Sequence, residues 1–289
     1  MTDASLPTPL VTTDWLARHL DEKDLVIIDA SWRMPGQGHA LDDFRKRHIA
    51  GAVFFDIDEI ADQSTDLPHM LPTPEEFGSA VGKLGVANSD RIVVYDDKGV
   101  FSAARGWWTF KAMGHGAVAV LNGGLPKWIS EGRPTTDEPS SPQAKAYRAA
   151  LRPERVADAQ CVREALEDAG AKVLDARPAG RFLGAEPEPR SGLRRGRMPG
   201  AESLPWTSLV APDNTLRAPA ELMTALAAAG VNPGRRIITT CGSGVTAAIL
   251  SLALEAIGHS RHGLYDGSWA EWGDEKNDPR SFPVEAGAR

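Results

Sequence analysis

The chain has 289 residues, 42% hydrophobic and 25% charged, which is enough for one large or two ordinary domains with a sizeable core. Its net charge of -7 argues against bulk binding to nucleic acid or to an anionic membrane surface. No stretch approaches the roughly 18 apolar residues of a membrane helix, and "MTDASLPTPLVTTDWLARHL" at the start has no basic region followed by an apolar core.

In chain order, "DWLARHLDE" (Asp14 to Glu22) reads as a helix and "LVIID" (Leu25 to Asp29) as a buried strand. "TPEEFGSAVGKLG" follows as a helix, with Thr73 as N-cap, Pro74 in the first helical position and early acids. "IVVYD" (Ile92 to Asp96) and "AVAVLNG" (Ala117 to Gly123) are further buried strands. "KVLDA" (Lys172 to Ala176), the helix "APAELMTALAAAG" (Ala218 to Gly230), "RIITT" (Arg236 to Thr240) and "HGLYDG" (His262 to Gly267) continue the alternation. Alternating strands and helices predict an α/β fold with mainly parallel sheets covered on both faces.

The order of elements occurs twice. "DLVIIDASWR" resembles "AKVLDARPAGR", "HIAGAVFFDI" resembles "RMPGAESLPW", "LGVANSDRIVVYDD" resembles "AGVNPGRRIITTCG", and "LNGGLPKWISEG" resembles "LYDGSWAEWGDE". The offset is 146 from Asp29 to Asp175, 145 from Val86 to Val231 and 144 from Trp128 to Trp272. Four blocks in one order and register predict tandem homologous domains, placed at residues 10–135 and 155–280. The segment between them, 136–154, is rich in Pro, Ser and Thr and reads as an exposed linker.

Only two cysteines are present, Cys161 and Cys241, 80 positions apart and with no C-x-x-C. That excludes a disulfide framework and, with no secretory signal, leads us to expect a reducing, cytoplasmic setting. The seven histidines are scattered, so no structural zinc site and no bound metal are expected. Cys161 lies in "DAQCVREALEDAG", an ordinary amphipathic helix. Cys241 is different. It stands at the carboxyl end of a strand, where open α/β sheets place ligands. It also opens "CGSGVT", a glycine-rich run that leads into the helix-like "AAILSLALEAI". A thiol with its ordinary pKa of about 8.5 is a poor nucleophile at neutral pH. Curled backbone N–H groups of Gly242, Ser243, Gly244, Val245 and Thr246, together with a helix N-terminus, favour a thiolate or an anion derived from it. A buried structural cysteine is the commoner role for a free thiol, but the strand-end position and glycine loop favour a nucleophile.

The loop "CGSGVTA", the following "DGSWAEW" and the duplication resemble the sulfurtransferases of the rhodanese superfamily, and "CGSGVT" resembles its 3-mercaptopyruvate branch. "FFDIDEIAD…LPHMLP" and "GRFLGAEPEPRSG" extend the likeness over nearly the whole chain. The resemblance implies tandem rhodanese-like domains and a silent first domain, where Asp96 stands at the cysteine position. It implies that Arg181 and Arg190 hold the carboxylate and carbonyl of the substrate. It also implies that Ser243 handles a proton together with His69 and Asp58, with Asp56 as a competitor for the last role. Arg194, Arg195 and Arg197 have no such warrant and read as surface. Trp107, Trp108, Trp269 and Trp272 read as core or interface residues.

The expected chemistry is transfer of sulfur from 3-mercaptopyruvate through a Cys241 persulfide to cyanide or a thiol such as thioredoxin, with no cofactor, nucleic acid or membrane involved. Thiosulfate as donor is the nearest rival, and a persulfide-carrier module is another. A cysteine phosphatase would place an arginine six positions after the cysteine, where this chain has Ala247.

Overall fold

The computed structural model describes residues 6–232 and 234–287. They form two compact units. The first gathers residues up to Gln63, Leu71–Arg152 and Val210–Leu216; the second gathers Ser64–Met70, Pro153–Leu209 and residues from Arg217 onward.

Unit one runs β1 (Leu10–Val11), α1 (Thr13–His19), β2 (Leu25–Asp29), α2 (Ala40–Lys46), β3 (His48–Ile49), β4 (Val53–Phe54), α3 (Pro74–Lys83), β5 (Arg91–Tyr95), α4 (Ala103–Ala112), β6 (Val118–Leu121), α5 (Gly124–Ser130) and β7 (Thr135–Thr136). Its main sheet has the order β1-β6-β5-β2-β4, and every pairing is parallel. The central strands are continuous apolar runs because helices cover both faces. Helix α3 starts as its sequence predicts: Thr73 Oγ1 accepts from Glu76 N–H at 3.3 Å, and Glu76 Oε2 accepts from Thr73 N–H at 3.0 Å. Helix α4 is buried on all sides except Lys111, and Trp107 and Trp108 lie wholly in the core. Arg105 stacks on Trp108, its Cζ 4.5 Å from the ring centre.

Unit two repeats the plan with β8 (Val156–Ala157), α6 (Ala159–Glu167), β9 (Ala171–Asp175), α7 (Ala179–Phe182), β10 (Glu202–Ser203), α8 (Pro219–Ala228), β11 (Arg236–Thr240), α9 (Ala247–Ala256), β12 (His262–Tyr265) and α10 (Ser268–Trp272). The sheet order is β10-β9-β11-β12-β8, again all parallel. Cys161 sits half-buried on α6, whose N-cap is Asp158. Helix α9 is apolar along most of its length and is almost wholly buried, as a helix without a polar face must be. Among the described residues no helix is long and apolar enough to cross a membrane.

The segment that composition marks as a linker is mostly exposed, yet its backbone is pinned to unit one. Lys145 N–H donates to Gly82 O at 2.9 Å, Ala150 N–H to Met113 O at 3.0 Å and Arg152 N–H to Ala112 O at 2.7 Å. Asn88 exchanges hydrogen bonds with the Arg148 backbone, both at 2.8 Å. Glycines on α3 let this strap lie close. A Cβ on Gly78 would meet Tyr147 O at 2.8 Å, and one on Gly82 would meet Lys145 O at 2.5 Å.

Candidate active site

Strand β11 delivers Cys241 to its carboxyl end with 2% of the residue exposed. The chain then turns through residues 242–246, with Gly244 in the left-handed region at φ +81°, and enters α9. The start of α10 supports this turn. Trp269 N–H donates to Cys241 O and Ala270 N–H to Gly242 O, both at 2.9 Å, while Cys241 N–H reaches Ser268 Oγ at 3.4 Å. In a trans peptide the N–H points away from the C=O. Drawing the carbonyls of 241 and 242 toward α10 therefore turns the N–H groups of Gly242 and Ser243 to the opposite side. Among the described residues, no protein acceptor takes the N–H groups of Gly242, Ser243, Gly244, Val245 or Thr246.

The corresponding turn of unit one shows what such a loop binds. Asp96 follows β5 as Cys241 follows β11, and its carbonyl likewise accepts from Leu125 N–H at 2.9 Å. Its carboxylate curls back into its own loop. Oδ1 accepts from Lys98 N–H at 2.8 Å and Gly99 N–H at 2.6 Å; Oδ2 accepts from Ser102 N–H and Ala103 N–H, both at 2.7 Å. The loop is an anion cradle filled by the chain itself. Burial raises the Asp96 carboxyl above its ordinary pKa, against the pull of these donors.

Beside the Cys241 turn lies a cluster of charges. Arg177 is fully buried, binds Asp175 through Nε and Nη2, and stacks on Trp269 with its Cζ 4.0 Å from the ring centre. Glu188, its side chain 1% exposed, joins two arginines. Its Oε1 accepts from Arg177 Nη1 at 2.7 Å, and its Oε2 accepts from Arg181 Nε at 3.0 Å and also from Arg181 Nη2. Burial would lower the Arg177 pKa, but the two carboxylates beside it hold the value above the ordinary one. Thus Arg181 arrives at the loop already fixed. A Cβ built on Gly242 would lie 2.9 Å from Arg181 Nη2. Arg190 Nη2 lies 3.4 Å from His69 Nε2. His69 is 5% exposed and adopts φ +65°. Ser243 is also 5% exposed.

Cys241, Ser243, Arg181, Arg190 and His69 thus belong to one unit, and the structure places Arg181 against the cysteine loop. Asp58 belongs to unit one, where its carboxylate accepts from the Trp32 indole N–H at 3.0 and 3.2 Å. Asp56 is a turn cap that accepts from Asp58 N–H at 3.0 Å and Glu59 N–H at 3.3 Å. The expectation of surface positions holds for Arg195, which is exposed, and needs correction for Arg194 and Arg197. Arg197 is buried at 3% exposure, and Arg194 donates to the carbonyls of Trp272, Gly273 and Phe282. Both fasten the C-terminal segment, because a guanidinium can satisfy several buried carbonyls at once. Glu188 and Arg177 escaped the sequence reading as functional residues. The available signals were an acid between prolines within an arginine-rich stretch, and an arginine two residues beyond a strand-end aspartate.

A family model for the rhodanese-like domain matches this chain twice, at residues 12–131 and 158–275. The chain belongs to the rhodanese family. This rhodanese-family chain is 41% identical over 268 residues to the 3-mercaptopyruvate sulfurtransferase of Escherichia coli (strain K12), covering 92% of itself and 95% of that relative. It is 38% identical over 270 residues to the thiosulfate sulfurtransferase of Rattus norvegicus, with 91% of each chain covered. The crystal structure of SseA from Escherichia coli, described as a 3-mercaptopyruvate sulfotransferase of rhodanese fold, superposes with a TM-score of 0.83. That match has 40% identity and covers 91% of this chain and 99% of that one.

Proposed function

We propose that this chain is a sulfurtransferase that takes sulfur from 3-mercaptopyruvate onto Cys241 and passes it to a thiol. The observation that carries this reading is the pair of matched loops. The carboxylate oxygens of Asp96 stand three bonds from their Cα, as the outer sulfur of a cysteine persulfide does. In unit one those oxygens are held by four backbone N–H groups. A persulfide on Cys241 presents its outer sulfur to a loop whose N–H groups at residues 242–246 meet no protein acceptor among the described residues.

In the proposed cycle, the Cys241 thiolate attacks the substrate sulfur. The S–S bond forms as the C–S bond breaks, and the electron pair leaves on carbon as the enolate of pyruvate. Arg181 and Arg190 hold the substrate carboxylate and carbonyl. Ser243, served by His69 of the same unit, delivers the proton that converts the enolate to pyruvate. An acceptor thiolate, for which the cytoplasmic thioredoxin class is our candidate, then attacks the outer sulfur and releases Cys241 as thiolate.

Thiosulfate is the second reading, since a relative named for it is 38% identical. Charge favours mercaptopyruvate. Asp175, Arg177, Glu188 and Arg181 neutralise one another, and Gly242 and Ser243 are uncharged, so this side of the loop is poorly suited to a dianion.

Intact mass after incubation with mercaptopyruvate, in wild type and Cys241→Ala, tests the proposal. One added sulfur in wild type only, with pyruvate released and the mass restored by thiol, is the expected result. Loading from thiosulfate but not from mercaptopyruvate would move the chain to the second reading. Loading from neither would overturn the reaction.

A further inference from the structure

Ser268 opens α10 at φ +51°, in the left-handed region that L-residues other than glycine rarely adopt. At the matching start of α5, unit one has Gly124 at φ +54°. The two corners do the same backbone work: Leu125 N–H holds Asp96 O in one, and Trp269 N–H holds Cys241 O in the other. A glycine therefore suffices for the turn. The cysteine-bearing copy nevertheless carries a serine there, fully buried and in a conformation unfavourable to its side chain.

The hydroxyl gives the reason. Ser268 Oγ–H donates to Tyr265 O at 2.8 Å, which orients the oxygen, and the same oxygen accepts from Cys241 N–H at 3.4 Å. In the silent copy the tight corner leaves no room for such a group. A Cβ on Gly124 would meet Asp96 O at 2.5 Å and Gly99 O at 2.6 Å.

We infer that Ser268 is a positioning residue for the nucleophile. Its oxygen ties down the Cys241 amide while Trp269 and Ala270 draw the next two carbonyls away from the loop interior. Together the three contacts fix the peptide planes of 240–243, so that the N–H groups of Gly242 and Ser243 face the thiolate side. Ser268 touches no reacting atom and acts through the backbone of Cys241. The strain at φ +51° is retained because glycine would relieve it only by deleting the hydroxyl. The inference rests on the reading of Cys241 as the sulfur-carrying nucleophile.

The test uses the full-length chain with Ser268→Gly, which relaxes the backbone, and Ser268→Ala, which keeps the strain and lacks the hydroxyl. Two rates are read in each: iodoacetamide alkylation of Cys241 across pH, and single-turnover sulfur loading from mercaptopyruvate by intact mass. Loss of donor alignment moves the alkylation profile to higher pH by about one unit, roughly a tenfold slower reaction below the transition, and slows loading by about tenfold. This is expected in both variants, with Ser268→Gly melting at or above the wild-type temperature while reacting more slowly. A hydroxyl that only stabilises the fold would lower the melting temperature and leave the alkylation profile in place. Wild-type alkylation and loading in either folded variant would overturn the proposal. If wild type itself fails to load from mercaptopyruvate, the reaction assigned above is wrong, and the alkylation profile still decides the role of Ser268.

Discussion

Arg181 lies against Gly242 so closely that a methyl group on that glycine would stand 2.9 Å from the guanidinium Nη2. The residue after the cysteine and the arginine seven positions before Glu188 therefore compete for one space. Glu188 decides the outcome by holding Arg181 over the loop.

Gly242→Ala should displace Arg181 from this position. A shift of this kind leaves the thiol intact but weakens the hold on the substrate carboxylate. We expect KM for mercaptopyruvate to rise about tenfold, equivalent to ~1.4 kcal/mol, with a smaller change in kcat. Steady-state kinetics on the two proteins measure this split. An unchanged KM would remove Arg181 from the substrate site.

Glu188→Gln strikes the same cluster from behind. The buried Arg177 keeps Asp175 but loses its second carboxylate, and Arg181 loses its tether. Breaking a buried ion pair typically destabilises by about 3–5 kcal/mol. Because Arg181 is 18% exposed and the amide oxygen still accepts, a loss of about 2–3 kcal/mol is expected here. A lower urea midpoint at constant slope is the signature, and wild-type stability would show that the cluster does not brace unit two.

Asp29 gives unit one a pH dependence. It stands where unit two has Asp175, but Ser31 replaces the matching arginine, Arg177. Burial raises its pKa to about 7, opposed by hydrogen bonds from Ser31 and Tyr95. An acid with a raised folded pKa binds its proton more tightly when folded. Its contribution to stability is therefore complete below the ordinary value near 3.8 and is lost as pH rises through about 7. The span is worth at most ~4 kcal/mol. Urea unfolding of Asp29→Asn between pH 4 and 8 should show a flatter profile than wild type and a relative gain at the alkaline end. Parallel profiles would refute the assignment.

Replacing a helical glycine with alanine usually stabilises by about 0.5–1 kcal/mol. At Gly82 the opposite sign is expected, because the new methyl would meet Lys145 O at 2.5 Å. Lifting the strap should lower stability by about 1–3 kcal/mol and expose residues 142–152 to proteolysis. A stabilised, protease-resistant Gly82→Ala would mean that the strap does not depend on this contact.

The layered architecture was legible because it is written in local periodicity. Apolar runs such as "LVIID" and "RIITT" became central parallel strands, and Thr73-Pro74 began a helix with a full capping box. Cys241 was legible because a strand, glycines and a helix adjoin it in sequence. What stayed hidden depends on pairings between distant residues. Glu188 reads as one more loop acid until Arg177 and Arg181 are seen to share it. Ser268 reads as a corner residue until its backbone angle and its reach to Cys241 are known. The strap has a linker's composition, and its ordering comes from glycines some sixty residues earlier in the chain.

The self-filled loop around Asp96 also bears on the resting behaviour of unit two. A carboxylate that satisfies four amides is part of the architecture there, as a keystone is part of an arch. Among the described residues no side chain fills the cysteine loop in this way, and by the proposed reaction its keystone comes and goes with each turnover. Transferred sulfur would then be a structural member as well as cargo. A loaded chain would resist unfolding better than an unloaded one, and release to an acceptor would return the loop to its looser state.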